Sequence, residues 1–186
     1  MAKHSIGEDI EIYRKIEILC PNCSELVVPL DVVSEEEIRE ALKAVEQITG
    51  WKLHLKVEVA KKDDPCEYRY VFIPVKPEDV IVEGEEILVK EEKIPEMYLN
   101  SSYMILVLKH PTENIDPIAI EYTDGYCERK CVLSASQHCY EPHFEPLAKV
   151  CKHLGKKFHC HDGGSPELFL EWLEENGYDG VEYEES

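Results

Sequence analysis

The sequence contains few side-chain amides and no long hydrophobic run. Only 4 Asn and 2 Gln occur among 186 residues, whereas Glu occurs 30 times and Lys 16 times. This bias is typical of hyperthermophile proteins, in which ion pairs are frequent and deamidation-prone residues are rare. The longest apolar stretch, Tyr103 to Leu108, is far shorter than the ~18 residues that a membrane span needs. The composition therefore predicts a thermophile-like protein that has no membrane partner.

Basic residues are also scarce, most of all near the C-terminus. The chain carries 20 Lys and Arg against 39 Asp and Glu, which gives a formal net charge of −19. From Asp162 to the end there are nine acidic residues and no basic one. Because an acidic surface repels phosphate groups, we do not expect nucleic acid as a partner. A basic protein is the partner that such a surface suits, so an acidic interaction or inhibitor module is one function left open.

The N-terminal residues predict the compartment in which the protein works. The segment MAKHSIGEDIEIYRK places charges where the apolar core of a secretion signal would lie. We therefore expect a cytoplasmic protein. Disulfides are rare in the cytoplasm of mesophiles but occur in that of hyperthermophiles. The eight cysteines consequently leave disulfides and metal binding as alternatives.

Alternating and helical hydrophobic patterns follow one another along the chain. Strands are predicted at Asp9–Leu19, Leu26–Leu30, Trp51–Val59, Tyr68–Val75, Ile87–Val89, Tyr103–Lys109, Pro117–Tyr122 and Lys156–His161. Helices are predicted from Ser34 to Gly50, from His143 to Leu154, and from Ser165, as N-cap, to Gly177. Because the order lacks a regular strand–helix–strand rhythm, we predict an α+β fold with a mixed or antiparallel sheet and about three helices packed on one side.

One stretch of the chain is suited to a domain boundary. Residues 76–96 are rich in Glu and contain Pro77, Gly84 and Pro95. We predict an N-terminal α+β subdomain in residues 1–95 and a Cys/His-rich α/β subdomain in residues 96–186. A single continuous domain is the alternative.

Cysteine and histidine are concentrated in one part of the sequence. Ten of them fall within 35 positions: Cys127, Cys131, His138, Cys139, His143, Cys151, His153, His159, Cys160 and His161. Structural cysteines usually occur singly, as small buried hydrophobic residues. This density therefore points to metal or thiol chemistry, although no motif identifies a reaction or shows that the protein is an enzyme.

A further cysteine pair, Cys20 and Cys23, lies between two strand-like runs in the motif Cys-Pro-Asn-Cys. Two thiolates at this spacing can share one tetrahedral ion. The motif resembles the CPxC knuckle of a zinc ribbon, which lies in a hairpin turn, and the resemblance implies zinc. For the other two ligands we predict Cys127 and Cys131, which would share one face of a helix, with Cys66 as the alternative. Four thiolates would make a closed, structural site.

The same motif also resembles the CPxC of thioredoxin-like proteins, in which a helix begins at the first cysteine. That resemblance implies a thiol–disulfide oxidoreductase with Cys20 as nucleophile and Cys23 as resolving thiol. The residues after Cys23 have a strand pattern instead, which favours zinc. An iron–sulfur cluster is a third hypothesis, with ligands drawn from Cys127, Cys131, Cys139, Cys151 and Cys160.

His159 and His161 form a second candidate metal pair. On a strand, two residues at this spacing project to one face, whereas the intervening Cys160 projects to the other. Their place at the carboxyl end of a predicted strand is where open α/β layers commonly bind ligands. We predict that both histidines bind a metal, with a third ligand from His138, His143 or Asp162.

Overall fold

The computed structural model describes residues 25–64, 66–101, 103–122, 130–135, 140–161 and 164–185. The strands in these ranges are β1 (Leu26–Asp31), β2 (Lys52–Ala60), β3 (Tyr68–Pro74), β4 (Val80–Glu83), β5 (Glu86–Val89), β6 (Met104–Lys109), β7 (Ile118–Glu121), β8 (Lys130–Ala135), β9 (Lys157–Cys160) and β10 (Glu182–Tyr183). The helices are α1 (Glu35–Thr49), α2 (Phe144–Leu154) and α3 (Glu167–Glu175).

Eight of these strands form one large sheet in the order β10-β9-β1-β8-β7-β6-β2-β3, and β4 pairs with β5 in a separate hairpin. Neighbouring strands in the large sheet are antiparallel except β9 and β10, which are parallel. The predicted α+β class is therefore confirmed, with a mostly antiparallel sheet and three helices in the described ranges. Strands from both sides of the predicted boundary at residue 95 share this sheet, and the boundary itself stays a prediction.

Local signals explain where the first helix begins and ends. The Ser34 hydroxyl accepts a hydrogen bond from the Glu37 backbone N–H at 3.2 Å, as an N-cap should. At the other end, Gly50 has a φ of 76°, a left-handed conformation that favours glycine at a helix C-terminus. The predicted helix between Ser34 and Gly50 is confirmed.

One hydrophobic cluster joins the sheet to all three helices. Alternate residues of the strands belong to it, including Leu26, Val28 and Leu30 of β1. The helices contribute their apolar faces: Ile38, Leu42 and Val45 from α1, Leu147, Ala148, Val150 and Cys151 from α2, and Phe169 and Leu173 from α3. Burial of these side chains is the main source of stability for such an arrangement.

The intervening residues at the centre of the large sheet are buried as well. Val27, Val132, Ser134 and His159 alternate with members of the hydrophobic cluster, and none of them is more than 3% exposed. Successive side chains of a strand project to opposite faces, so both faces of β1, β8 and β9 are shielded from solvent there. His159 therefore lies in dry surroundings.

Three local predictions are wrong or incomplete. Lys130–Ala135 is a strand, whereas the zinc hypothesis placed Cys131 on a helical face together with Cys127. This strand is buried on both faces, so its sequence lacks the regular apolar–polar alternation that identifies a half-buried strand. Helix α3 begins at Glu167 with Pro166, not Ser165, as its N-cap. The short strands β4 and β10 were not predicted.

Candidate metal site

Three strand ends meet at one end of the large sheet. β1 begins at Leu26, which pairs both with Ala135, the last residue of β8, and with Cys160, the last residue of β9. The His161 backbone N–H donates to the Glu25 carbonyl oxygen at 2.7 Å and extends the β1–β9 ladder by one residue. We call this region the Leu26 end of the sheet. It is where the chain enters β1 and leaves β8 and β9.

The predicted histidine pair lies at this end. His159 is fully buried and is the register partner of Val27. Cys160, between the two histidines, belongs to the hydrophobic cluster on the other side of the sheet. His161 is half-buried and continues the ladder opposite Glu25, so its side chain is expected on the same face as His159. Because β9 ends at Cys160, a shared sheet face for the two imidazoles stays a prediction.

Cys131 lies well away from the Leu26 end. It pairs with Leu30, four positions along β1 from Leu26, which corresponds to about 13 Å of strand. Its side chain is fully buried in the hydrophobic cluster, and burial raises the pKa of its thiol to about 12. The thiol is therefore protonated at neutral pH in the described structure, whereas a zinc ligand is a thiolate.

The other predicted ligands differ in their surroundings. Cys151 is buried in α2, and burial raises the pKa of its thiol to about 12. Cys66 is exposed, and its backbone N–H donates to Asp64 Oδ1 at 3.0 Å. The remaining candidates lie outside the described residues: Cys20, Cys23, Cys127, His138, Cys139 and Asp162. Among the residues that are described, no group of three or more Cys, His, Asp or Glu could hold a metal ion.

The thiols of the described residues should differ sharply in reactivity. We expect a brief treatment of the native protein with iodoacetamide to modify Cys66 and to leave Cys131 and Cys151 unmodified. The thiolate is the reacting form, and burial disfavours it at the latter two positions. Digestion and mass spectrometry measure the modification at each site, with unfolded protein as the control in which all three react. Modification of native Cys131 as fast as Cys66 would contradict its burial.

His143, considered above as a third metal ligand, occupies a separate environment at the start of α2. It is 3% exposed, and its Nε2–H donates to the Asp116 carbonyl oxygen at 2.6 Å. Its ring makes edge contacts with Tyr140 and Trp51, at centroid distances of 4.6 and 5.9 Å. Burial lowers the pKa of His143 by more than the Asp116 carbonyl raises it, so the imidazole is neutral near pH 7.

This lowered pKa predicts a loss of stability in mild acid. In the unfolded chain the His143 imidazole returns to its ordinary pKa of 6.5, so below that pH the unfolded state binds a proton that the folded state does not. The stability that the folded protein gains from keeping His143 neutral is therefore present above pH 6.5 and is lost as the pH falls below it. We expect the free energy of unfolding, measured in urea at about pH 7.5 and about pH 5.5, to decrease less in His143→Gln than in the original protein. Equal decreases in the free energy of unfolding of both proteins would show that His143 is not the cause of the acid sensitivity.

A cleft of about 700 Å³ lies beside His143, and it was not predicted from the sequence. It is lined by Trp51, His110, Glu113, Glu141, Glu145 and Trp172, among others, and we call it the tryptophan cleft. These residues come from separate segments of the chain, so no local motif connects them. Among the described residues, none of the metal ligands predicted from the sequence lines the cleft.

Comparison with known proteins assigns no family to the chain. No protein-family model, no curated protein and no solved structure matches it. In the described ranges, no helix is both long enough and apolar enough to cross a membrane. The chemistry of the residues themselves is therefore the basis for the functional proposal.

Proposed function

We propose that this protein binds zinc at the Leu26 end of the large sheet, through Cys20, Cys23, His159 and His161. The observation that supports the proposal is the register of β1 against β9, in which Leu26 is opposite Cys160. Cys23 precedes Leu26 by three residues, and three residues of chain reach at most about 10 Å. This short separation in sequence makes the cysteine motif the first candidate partner of the histidine pair.

Two thiolates and two imidazoles form a common ligand set of structural zinc sites. Such a site is tetrahedral and closed, because four protein ligands leave no position for a water molecule or a substrate. The ion would accordingly stabilise the fold and would not take part in catalysis. It would connect the chain entering β1 to the end of β9, two segments that are far apart in sequence.

This ligand set differs from the four cysteines predicted from the sequence. Cys131 is replaced in the proposal because it lies along β8, inside the hydrophobic cluster and about 13 Å of strand from the Leu26 end. His138 and Cys139 are the next candidates, since they follow Ala135 by three and four residues and Ala135 is also paired with Leu26. They are the first residues to substitute if one of the histidines proves dispensable.

The alternative functions have less support. In thioredoxin-like proteins a helix begins at the first cysteine of the motif, whereas here residues 26–31 form a strand and the first described helix begins at Glu35. An iron–sulfur cluster needs several thiolates at one point. Cys131, Cys151 and Cys160 are all buried in the hydrophobic cluster, and no group of three metal-binding side chains occurs among the described residues.

Elemental analysis of the purified full-length chain, expressed without added metal, tests the proposal. We expect about one zinc ion per chain and its loss after treatment with a strong chelator. His161→Ala should lower the zinc content to a small fraction of that value. His153→Ala, which removes an exposed histidine of α2, is the matched control and should leave it unchanged. Metal-free protein that reduces insulin through Cys20 would instead support the oxidoreductase hypothesis.

A further inference from the structure

The tryptophan cleft has the size and position of a small-molecule site. Its volume of about 700 Å³ falls within the range of about 300–1,000 Å³ that is typical of ligand pockets. The chain contains two tryptophans, Trp51 and Trp172, and both line the cleft. Trp51 lies immediately before β2, and Trp172 lies on α3.

The carboxylates that line the cleft give it a negative charge. Glu113, Glu141 and Glu145 contribute three of them, and Lys149 contributes one ammonium group. Lys149 Nζ pairs with Glu145 Oε1 at 2.9 Å. Within the described part of the chain, Glu113 and Glu141 have no ion-pair partner. Two negative charges in the cleft are thus not neutralised by a described side chain.

The two histidines near the cleft do not offset this charge. His110 Nδ1 accepts hydrogen bonds from the backbone N–H groups of Thr112 and Glu113, at 3.2 and 2.9 Å. An accepting Nδ1 carries no proton, so this ring is neutral with its hydrogen on Nε2. His143 lies against Trp51 and donates from Nε2 to a backbone carbonyl, and its buried Nδ1 has no hydrogen-bond partner among the described residues.

The tryptophan rings are held in place by other aromatic rings. Trp172 stacks on Tyr178, with centroids 5.4 Å apart and planes 24° from parallel. The ring of His110 makes an edge contact with Trp51 at 5.5 Å. Indole rings attract cations through their faces and bury apolar chains at little cost in conformational entropy. The cleft therefore combines two indole rings with carboxylates whose negative charge is not neutralised.

We propose that the tryptophan cleft binds a linear aliphatic diamine or polyamine. Its ammonium groups would pair with Glu113 and Glu141, and its methylene chain would lie against Trp51 and Trp172. The net charge of −19 would also concentrate such cations around the protein. The proposal does not rest on the zinc site, and neither His159 nor His161 lines the cleft.

A matched pair of probes tests the chemistry. Hexamethylenediamine and hexanediol have the same carbon chain, and only the diamine is charged. In calorimetric titrations of the full-length protein we expect saturable one-to-one binding of the diamine and of spermidine, and no binding of the diol. Tryptophan fluorescence should change with the same dissociation constant, because both fluorophores line the site. Equal binding of diol and diamine would overturn the proposal.

Two conservative variants test the location. Glu113→Gln and Glu141→Gln should each weaken diamine binding by roughly fivefold, which corresponds to about 1 kcal/mol. Glu83→Gln, an exposed change on β4 away from the cleft, should have no effect. If all three variants weaken binding equally, the cation binds to the acidic surface in general and the proposal fails. Binding of a lysine-rich peptide without binding of the diamine would also overturn it, in favour of a protein ligand.

Discussion

Replacement of Cys20 or Cys23 by serine is expected to reduce the zinc content from about one ion per chain to less than about a tenth. A serine hydroxyl stays protonated at neutral pH and does not replace a thiolate in a tetrahedral site. Elemental analysis of each purified variant gives the result directly. Cys66→Ser is the matched control, because it removes an exposed thiol and should leave the zinc content unchanged.

Loss of the ion should also lower the thermal stability. Metal that binds only the folded state adds its binding free energy to folding. A chelator should therefore lower the melting temperature of the original protein and of Cys66→Ser, whereas Cys20→Ser should melt at the same temperature with and without chelator. If the original protein holds one zinc ion but Cys20→Ser retains it in full, the ligand set proposed above is wrong.

Phe158→Ala is expected to cost about 3–5 kcal/mol of the free energy of unfolding, the usual cost of removing a buried phenylalanine ring. Phe158 is fully buried next to His159 and connects β9 to the rest of the core. Its ring makes an edge contact with Phe169 of α3 at 4.6 Å and a tilted contact with Tyr183 of β10 at 5.3 Å. The substitution would leave a cavity between the sheet and the C-terminal helix.

Urea unfolding at neutral pH measures this cost. The neighbouring Lys157→Ala removes an exposed side chain whose Nζ is 3.4 Å from Glu182 Oε2, and it should cost less than about 1 kcal/mol. Phe158→Leu should fall between the two, because it keeps part of the buried volume. Equal stabilities of Phe158→Ala and Lys157→Ala would show that β9 is not anchored through this ring.

The sequence predicts those elements whose signals are local. Helix α1 has a Ser34 N-cap and a left-handed Gly50 at its end, and both are visible in a short window of sequence. Strand β2 alternates apolar and polar residues, because only one of its faces is covered by the core. For such elements, the periodicity and the capping residues are sufficient to predict where the helix or strand lies.

The candidate site could be predicted only in part, because it depends on long-range register. The spacing of His159 and His161 predicts that the two side chains share one face of a strand, whereas β9 itself ends at Cys160. Strand β1 pairs with both β8 and β9, which are distant from it in sequence. Hydrophobic patterns do not specify which strands pair. The zinc prediction for Cys131 relied on its four-residue spacing from Cys127, which suits a helix, whereas Cys131 lies on a strand. The tryptophan cleft likewise joins separate segments.

X-ray absorption at the zinc edge of the purified, unmodified protein is the most direct measurement of the ligand set. We expect two sulfur ligands at about 2.3 Å and two nitrogen ligands at about 2.0–2.1 Å, the distances of a closed Cys₂His₂ site. Four sulfur ligands would contradict the participation of His159 and His161 and would indicate a site formed by cysteines alone. A protein that contains no zinc after purification without chelator would refute the metal site altogether.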